Sequence, residues 1–299
     1  MLDILTFYTY FVNPTDQGAS PIITNLRILI TGSNSGFGLL TSLTLARQGH
    51  HVIATMRNLD KGAALAATAK AKKLPIEMRT LDVCDAASVE AALADAATID
   101  VLINNAGFEV QGGLEMVDDE LMQKQLDTNV IGPLRTIRAV MPAWRRRQSG
   151  AIVNVSSTVG IVATPYGGAY SASKFALEGM SEALYMEAKP DNIRVHLIEP
   201  GRFSTTNFGS NIVRPDGWVG SELENRQIAF RKALSNLDGK APPDPQSVAD
   251  AIVNAAINPA APFRNLVGDD AVMLASAYKA APTYEDFEAG IRERLDWHI

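Results

Sequence analysis

The sequence predicts an α/β fold, a single domain built on a doubly wound parallel sheet. Three observations carry this. Seven short apolar runs recur along the chain. Several are almost unbroken in Val, Ile and Leu, as in strands covered on both faces. Longer segments of helical periodicity separate them, so that strand and helix alternate.

The runs are 26–31 (LRILIT), 51–55 (HVIAT), 75–81 (PIEMRTL), 100–104 (DVLIN), 151–156 (AIVNVS), 194–199 (RVHLIE) and 264–268 (RNLVG). Segments 38–48, 85–97, 121–147 and 172–188 read as helices between them. Right-handed crossovers then place helices on both faces of the sheet. Region 202–244 breaks the rhythm with Gly209, Pro215, Gly217, Gly220 and a KAPPDP stretch around a helical segment, 221–236. An insertion of this kind usually lies beyond the carboxyl ends of the strands, where ligands bind, so 202–244 is expected to be a substrate lid. Residues 1–25 form an N-terminal extension to a domain spanning 26–299.

Composition bounds the function. With 299 residues, 46% hydrophobic, the chain can bury a large core. Charged residues make up 20% and the formal net charge is -6, which gives no reason to expect nucleic acid or an anionic membrane as partner. Cys84 is the only cysteine, so no disulfide forms within the chain, which suits a reducing cytoplasm. Residues 2–12 are mostly apolar but fall short of the about 20 residues that cross a bilayer. The first basic residue is Arg27, so no basic stretch precedes them as in a signal peptide. They are expected to pack on the body of the protein or on a second subunit.

The first strand runs into TGSNSGFG, with Thr31, Gly32, Gly36 and Gly38. One glycine permits a tight turn, another lets backbone approach a diphosphate, and the following helix offers unpaired N–H groups and a positive dipole. Such a turn can merely join strand to helix, but its place at the first strand–helix junction points to a dinucleotide. At the end of the second strand, Thr55 stands where an acid would hold both ribose hydroxyls, and Arg57 follows. An arginine suits a 2′-phosphate. NADP(H) is therefore preferred, NAD(H) remains possible, and Arg57 as a plain solvated cation is the bland alternative.

Tyr170 and Lys174 stand four apart in YSASK, on one face of a helix. An unassisted phenol, with pKa about 10, is a poor base at neutral pH. A neighbouring ammonium lowers that value, and the tuned phenol can exchange a proton with an alcohol or carbonyl oxygen. The strand 151–156 delivers Ser156 and Ser157 toward the same edge, where a hydroxyl can hold the substrate oxygen. Asn129 falls inside a helical segment, where asparagine is a modest helix former and most often faces solvent.

Taken in order, TGSNSGFG (31–38), LDV (81–83), NNAG (104–107), NVIG (129–132), VSS (155–157), YSASK (170–174) and EPG (199–201) resemble the short-chain dehydrogenase/reductase family over residues 26–268. The resemblance implies one Rossmann-like domain with a seven-stranded parallel sheet, usually a homodimer or homotetramer. It implies Tyr170 as general acid/base, Lys174 lowering its pKa and holding the nicotinamide ribose, Ser157 rather than Ser156 orienting the substrate, and Asn129 holding a water in the proton relay. For the cofactor it implies Gly32, Ser33, Ser35, Gly36, Phe37 and Gly38 at the diphosphate. Asp82 and Val83 then meet the adenine, Asn105, Ala106 and Gly107 line the cofactor, and Pro200, Gly201 and Thr205 lie beside the carboxamide. The stretch with Arg57 is similar to that of NADP-preferring carbonyl reductases and 17β-hydroxysteroid or retinol dehydrogenases. Phe37 departs from the family's usual isoleucine or leucine, and Ser33–Ser35 lack the basic residue many NADP-dependent members carry.

The expected protein is a cytoplasmic enzyme that interconverts a secondary alcohol and a ketone, or an alcohol and an aldehyde. Phe203, Phe208, Ile212, Val213, Trp218 and Val219 in the lid suit an apolar or bulky small-molecule substrate, and they equally suit a small core of the lid itself. A catalytically silent dinucleotide sensor, or an epimerase or dehydratase on the same fold, are the alternatives. The four histidines show no zinc-ligand spacing, and RRR at 145–147 reads as a helix end meeting its negative dipole. Cys84 reads as an inert small side chain.

Overall fold

Each of the seven apolar runs forms a strand. A computed structural model describes residues 23–203, 205–234 and 243–297. Residues 1–22 of the extension, residue 204 and residues 235–242 of the expected lid, the side chain of Phe208, and His298 lie outside the described residues.

The strands β1 (Arg27–Ile30), β2 (His51–Met56), β3 (Ile76–Thr80), β4 (Val101–Asn104), β6 (Gly150–Val155), β7 (Ile193–Pro200) and β9 (Arg264–Val267) make one seven-stranded sheet. Its order is β3-β2-β1-β4-β6-β7-β9, and every pairing is parallel. The order reverses between β1 and β4, and a cleft opens at the carboxyl ends there. A second, two-stranded parallel ribbon joins β5 (Glu109–Val110) to β8 (Ile212–Val213). The sequence reading did not include it, because two-residue strands show no period.

Helices cover both faces. Ile28 and Ile30 of β1 pack with Leu45 of α1 (Gly36–Arg47) and Ile252 of α8 (Gln246–Ile257). Leu29 faces the other way, with Val89 of α3 (Ala86–Ala92) and Ile137, Val140 and Trp144 of α5 (Gly132–Arg147). Burying each such side chain contributes about 1.5–3 kcal/mol. Trp144 is fully buried, donates from Nε1 to the Ile99 carbonyl at 2.7 Å and lies against Gly150, where a Cβ would meet the ring at 2.3 Å.

The expected helix 121–147 is three pieces in one rod. Asp118 caps α4 (Asp119–Leu126), a π turn spans Asp127–Ile131, and α5 follows. It ends at Arg147 with three arginines in its last turn, as expected. The predicted helix 172–188 begins earlier, as α6 (Gly168–Ala188). A buried polar chain fixes α6 to the sheet. Thr136 donates to Asn104 Oδ1 at 2.7 Å, Asn104 Nδ2 to Asn154 Oδ1 at 2.9 Å, and Asn154 Nδ2 to Ser181 Oγ at 2.9 Å. Every partner is satisfied, so the chain holds α5, β4, β6 and α6 in one register. The remaining helices are α2 (Ala63–Lys72), α7 (Glu222–Leu234), α9 (Asp269–Ala280) and α10 (Tyr284–Leu295).

Candidate active site

The cleft holds about 950 Å³ and gathers most of the predicted residues. Gly32, Ser35, Gly36, Phe37, Arg57, Asp82, Val83, Asn105, Ala106, Gly107, Ser157, Tyr170, Lys174, Pro200 and Gly201 all line it. Ser33, Gly38, Asn129 and Thr205 are absent from its lining.

The glycine turn is built for close approach. Gly32 (φ 71°) and Gly36 (φ 55°) occupy the left-handed region, which glycine adopts without strain. A Cβ at Gly36 would meet nothing within 4 Å, whereas one on Gly38 would meet the Gly32 oxygen at 2.4 Å. Gly36 thus leaves room for a ligand, and Gly38 lets the helix start against the turn. Thr31 and Asn105 hold the turn from beneath. Thr31 Oγ1 accepts from the backbone N–H groups of Asn105 and Ala106, both at 3.0 Å. Asn105 Nδ2 donates to the Thr31 and Gly32 carbonyls at 2.9 and 3.0 Å. The N-terminus of α1 opens onto this cradle, and Ser35 supplies no side-chain cap to it. These features fit a dinucleotide diphosphate. Ser33 plays a different part from the one expected: it is fully buried, donating from its hydroxyl to the Ile30 carbonyl and from its N–H to the Thr55 carbonyl.

Along the cleft, Asp82 is fixed by accepting from the Cys84 N–H at 3.0 Å. Thr55 is buried and donates to the Ile30 carbonyl at 2.9 Å, so no acid faces the cleft from that position. Arg57 lies exposed on the rim. Phe37 meets Phe203 edge-on, with ring centroids 5.6 Å apart, and so ties the glycine turn to the segment after β7. There the chain turns at Phe203, whose carbonyl accepts from Thr206. That turn brings Thr206 to the cleft and leaves Thr205, the residue expected there, exposed.

At the reacting end, Tyr170 and Lys174 project from α6 while Ser157 follows β6. Ser157 hydrogen-bonds the Tyr170 phenol and accepts from the Val159 N–H at 3.3 Å. Lys174 Nζ stands 5.5 Å from the centre of the Tyr170 ring and donates to the Val155 carbonyl at 2.9 Å. The expected lowering of the phenol pKa is not what this arrangement gives. Burial raises it above the ordinary tyrosine value, the nearby Glu109 carboxylate raises it further, and the Ser157 bond opposes both. Burial also brings Lys174 down to about 8, with the Glu178 carboxylate opposing. The lysine's strongest tie is to a carbonyl, so its charge reaches the phenol only through space.

Asn129 lies inside the π turn, almost fully buried. Its amide accepts from the Phe108 N–H at 3.2 Å and donates to the Phe108 carbonyl at 3.0 Å and to Ser173 Oγ at 3.1 Å. Its side chain therefore clamps the cleft wall to α6.

A family model described as short chain dehydrogenase matches residues 27–215. The chain belongs to the short-chain dehydrogenase family. It is 36% identical over 246 residues to a 3-ketodihydrosphingosine reductase of Bacteroides thetaiotaomicron, covering 81% of this chain and 87% of the relative. It is 35% identical over 247 residues to human retinol dehydrogenase 8, covering 79% of each. Among solved structures, a short-chain dehydrogenase from Streptomyces avermitilis superposes with a TM-score of 0.75 at 30% identity, over 90% of this chain and 96% of that one. As a short-chain dehydrogenase, the protein is an oxidoreductase that acts on CH–OH groups with a nicotinamide dinucleotide.

Behind the reacting end of this short-chain dehydrogenase lies a charge cluster that sequence reading did not single out. Arg264 of β9 bonds Glu178 and Glu182 of α6 and the fully buried Glu199 of β7. Burial raises the pKa of both Glu178 and Glu199, and their mutual repulsion raises Glu199 further. Glu178 sits one turn beyond Lys174, so the cluster sets part of the field that the lysine feels. The EPG motif carries Glu199, but only the fold brings Arg264 to it. Two further residues lining the cleft, Glu109 and Gln111, follow the NNAG motif, Glu109 in a strand too short to detect by period and Gln111 just after it.

Among the described residues no helix is long and apolar enough to cross a membrane. No group of three His, Cys, Asp or Glu among them could hold a metal.

Proposed function

We propose that the protein interconverts a ketone and a secondary alcohol, or an aldehyde and an alcohol, with NADP(H) and with Tyr170 as the proton donor and acceptor. The observation that carries this reading is the hydrogen bond between Tyr170 and Ser157 in the same cleft as the glycine turn. When bound, the nicotinamide supplies or takes the hydride and, when oxidised, brings positive charge beside the phenol. In reduction the carbonyl carbon gains the hydride as its π bond breaks, and the oxygen takes the Tyr170 proton. The protonated phenol serves reduction, and its phenolate serves oxidation. Ser157 donates to the substrate oxygen while charge develops there. Lys174 adds a through-space positive charge and holds the ribose, and Asn129 keeps the wall and α6 in register.

Gly32, Ser35, Gly36 and Phe37 would meet the diphosphate, Asp82 and Val83 the adenine, and Asn105, Ala106, Gly107, Pro200 and Gly201 the nicotinamide half. Arg57 on the rim, with Thr55 turned inward, supports NADP(H) over NAD(H). Of the expected lid, the described residues 205–234 reach the cleft through Thr206, Ile212, Val213, Gln227 and Phe230 and would cover the substrate. Exposed Phe175, Tyr185 and Met186 on α6 suit a homodimer or homotetramer. The single cysteine and the absence of a membrane-crossing helix among the described residues are compatible with the cytoplasm.

The test is oxidation of NADPH and NADH against a panel of ketones and aldehydes. Turnover with NADPH that is lost in Tyr170→Phe is the expected result. Tight NADPH binding without oxidation by any carbonyl would favour a silent sensor.

A further inference from the structure

Beside the phenol, one wall of the cleft is formed by β5. Glu109 lies on β5 and Gln111 just beyond its end, and their side chains meet while Val110 between them is buried. Both Glu109 and Gln111 line the cleft. Their backbone is pinned on every side. The Val110 N–H donates to Gln125 Oε1 at 2.6 Å, the Gln111 N–H to the Val213 carbonyl at 2.9 Å, and the Gly112 N–H to the Tyr166 carbonyl at 2.9 Å. Gln125 also donates from Nε2 to the Phe108 carbonyl at 2.8 Å.

The two side chains are bonded to each other. Gln111 Nε2 donates to Glu109 Oε1 at 3.0 Å. Burial raises the Glu109 pKa, opposed by the Gln111 bond and by Arg231 and Arg214; in its carboxylate form Glu109 only accepts, and the amide end facing it is Nε2. The other end is Oε1, and it is buried with no hydrogen-bond partner among the described residues, on a residue only 4% exposed. Leaving such an acceptor unmet is costly, and a ligand that offers a donor removes the cost. The Glu109 carboxylate has spare lone pairs beside it, close enough to Tyr170 to act on the phenol. The same cleft is lined by the apolar Val159, Val162 and Phe230, and by Ile212 and Val213 of β8 paired to β5.

We propose that Glu109 and Gln111 form an acceptor pair that selects carbonyl substrates bearing an O–H or N–H donor near the reacting carbon and an apolar remainder. This rests on the carbonyl–alcohol reading above. The pair determines specificity rather than chemistry: it engages a substituent, while Tyr170 engages the reacting oxygen. A simpler part for Glu109 is to attract Arg231 of α7, which lines the same cleft and lies within electrostatic reach of it. That part would leave Gln111 without influence on substrate choice.

The test compares kcat/KM, with NADPH, for a medium-chain ketone and for its counterparts carrying a hydroxyl or an amino group one or two carbons from the carbonyl. The wild-type enzyme should favour a donor-bearing ketone by about tenfold or more. In Gln111→Leu that ratio should fall about tenfold. In Glu109→Gln, which keeps an acceptor but removes the charge, the ratio for the amino ketone should fall more than that for the hydroxy ketone if the natural donor is an ammonium, and both should fall alike if it is a hydroxyl. NADPH binding reports that each variant is folded, and Gln111→Met replaces Gln111→Leu if the latter does not bind it. A wild-type ratio near one, or ratios unchanged in the variants, overturns the acceptor pair while leaving the carbonyl reading intact. An enzyme that binds NADPH and reduces none of these ketones overturns both.

Discussion

Lys174 Nζ donates to the Val155 carbonyl oxygen at 2.9 Å, at the last residue of β6. The bond crosses from the helix that carries Tyr170 to the strand that delivers Ser157. It spaces the two reacting hydroxyls as well as placing a charge near them. Burial holds the lysine near pKa 8, below its ordinary 10.5. The value of kcat/KM for NADPH, which reports on groups of the free enzyme, should therefore fall as pH rises through about 8, where the ammonium gives up its proton. In Lys174→Met that break should vanish and rates at pH 7 should be lower throughout. A break that persists in the variant would mean that another group titrates there.

Tyr170→Phe deletes the proton donor and leaves the ring in place. Turnover should drop by about 10²–10⁴-fold, the usual worth of general acid–base catalysis. NADPH affinity, followed by nicotinamide fluorescence, should change little. Ser157→Ala removes the bond that opposes the raised phenol pKa, and kcat should fall by about 10²–10³-fold. Wild-type rates in either variant would sink the assignment.

Arg57→Ala should weaken NADPH binding by about 10- to 100-fold, as expected for losing a charge-assisted contact. NADH binding should be nearly unchanged. Titration of both dinucleotides by fluorescence checks this, and equal weakening of the two would place Arg57 away from the 2′-phosphate.

Glu199 is buried with Glu178 against one arginine, and its pKa stands above the ordinary 4.5. Between those values the folded protein holds a proton that the unfolded chain has released. Stability must then fall as pH rises above about 4.5. Glu199→Gln removes this contribution, so thermal melts across pH 5 to 8 should show a shallower decline than in the wild type. A steeper decline would reverse the sign argued here.

Thr31→Val keeps the shape of the side chain and deletes the oxygen that accepts from Asn105 and Ala106. Loss of about 2 kcal/mol of stability is expected from stranding these donors. Urea denaturation measures it, and NADPH affinity should fall in parallel as the glycine turn loosens.

The strands were legible in the sequence because burial on both faces leaves long apolar runs, and their ends fell within two residues of those seen. The reacting hydroxyls and the lysine were legible because one helical turn and one strand end bring them together locally. What the sequence concealed depends on contacts distant in the chain. Arg264 meets Glu199 only when β9 docks on β7, and Gln125 clamps β5 only once α4 lies across it. The direction of the phenol's pKa was concealed too. YSASK places a cation four residues from Tyr170 but says nothing of how deeply both are buried, and burial is the largest influence on the phenol. Asn129 was placed inside a helix correctly, but the widened turn around it left no mark in the pattern of apolar residues.

That π turn has a further consequence. Each extra residue in a helical turn rotates everything after it by about 100° about the axis. With Asp127–Ile131 wound wide, α4 presents Gln125 to the cleft wall while α5, in the same rod, presents Ile137, Val140 and Trp144 to the sheet. Deleting a single residue there would leave every side chain chemically intact yet swing one half of the rod out of phase with the other. The phase between the cleft wall and the sheet is thus set by a number of residues, a quantity that point substitutions never probe.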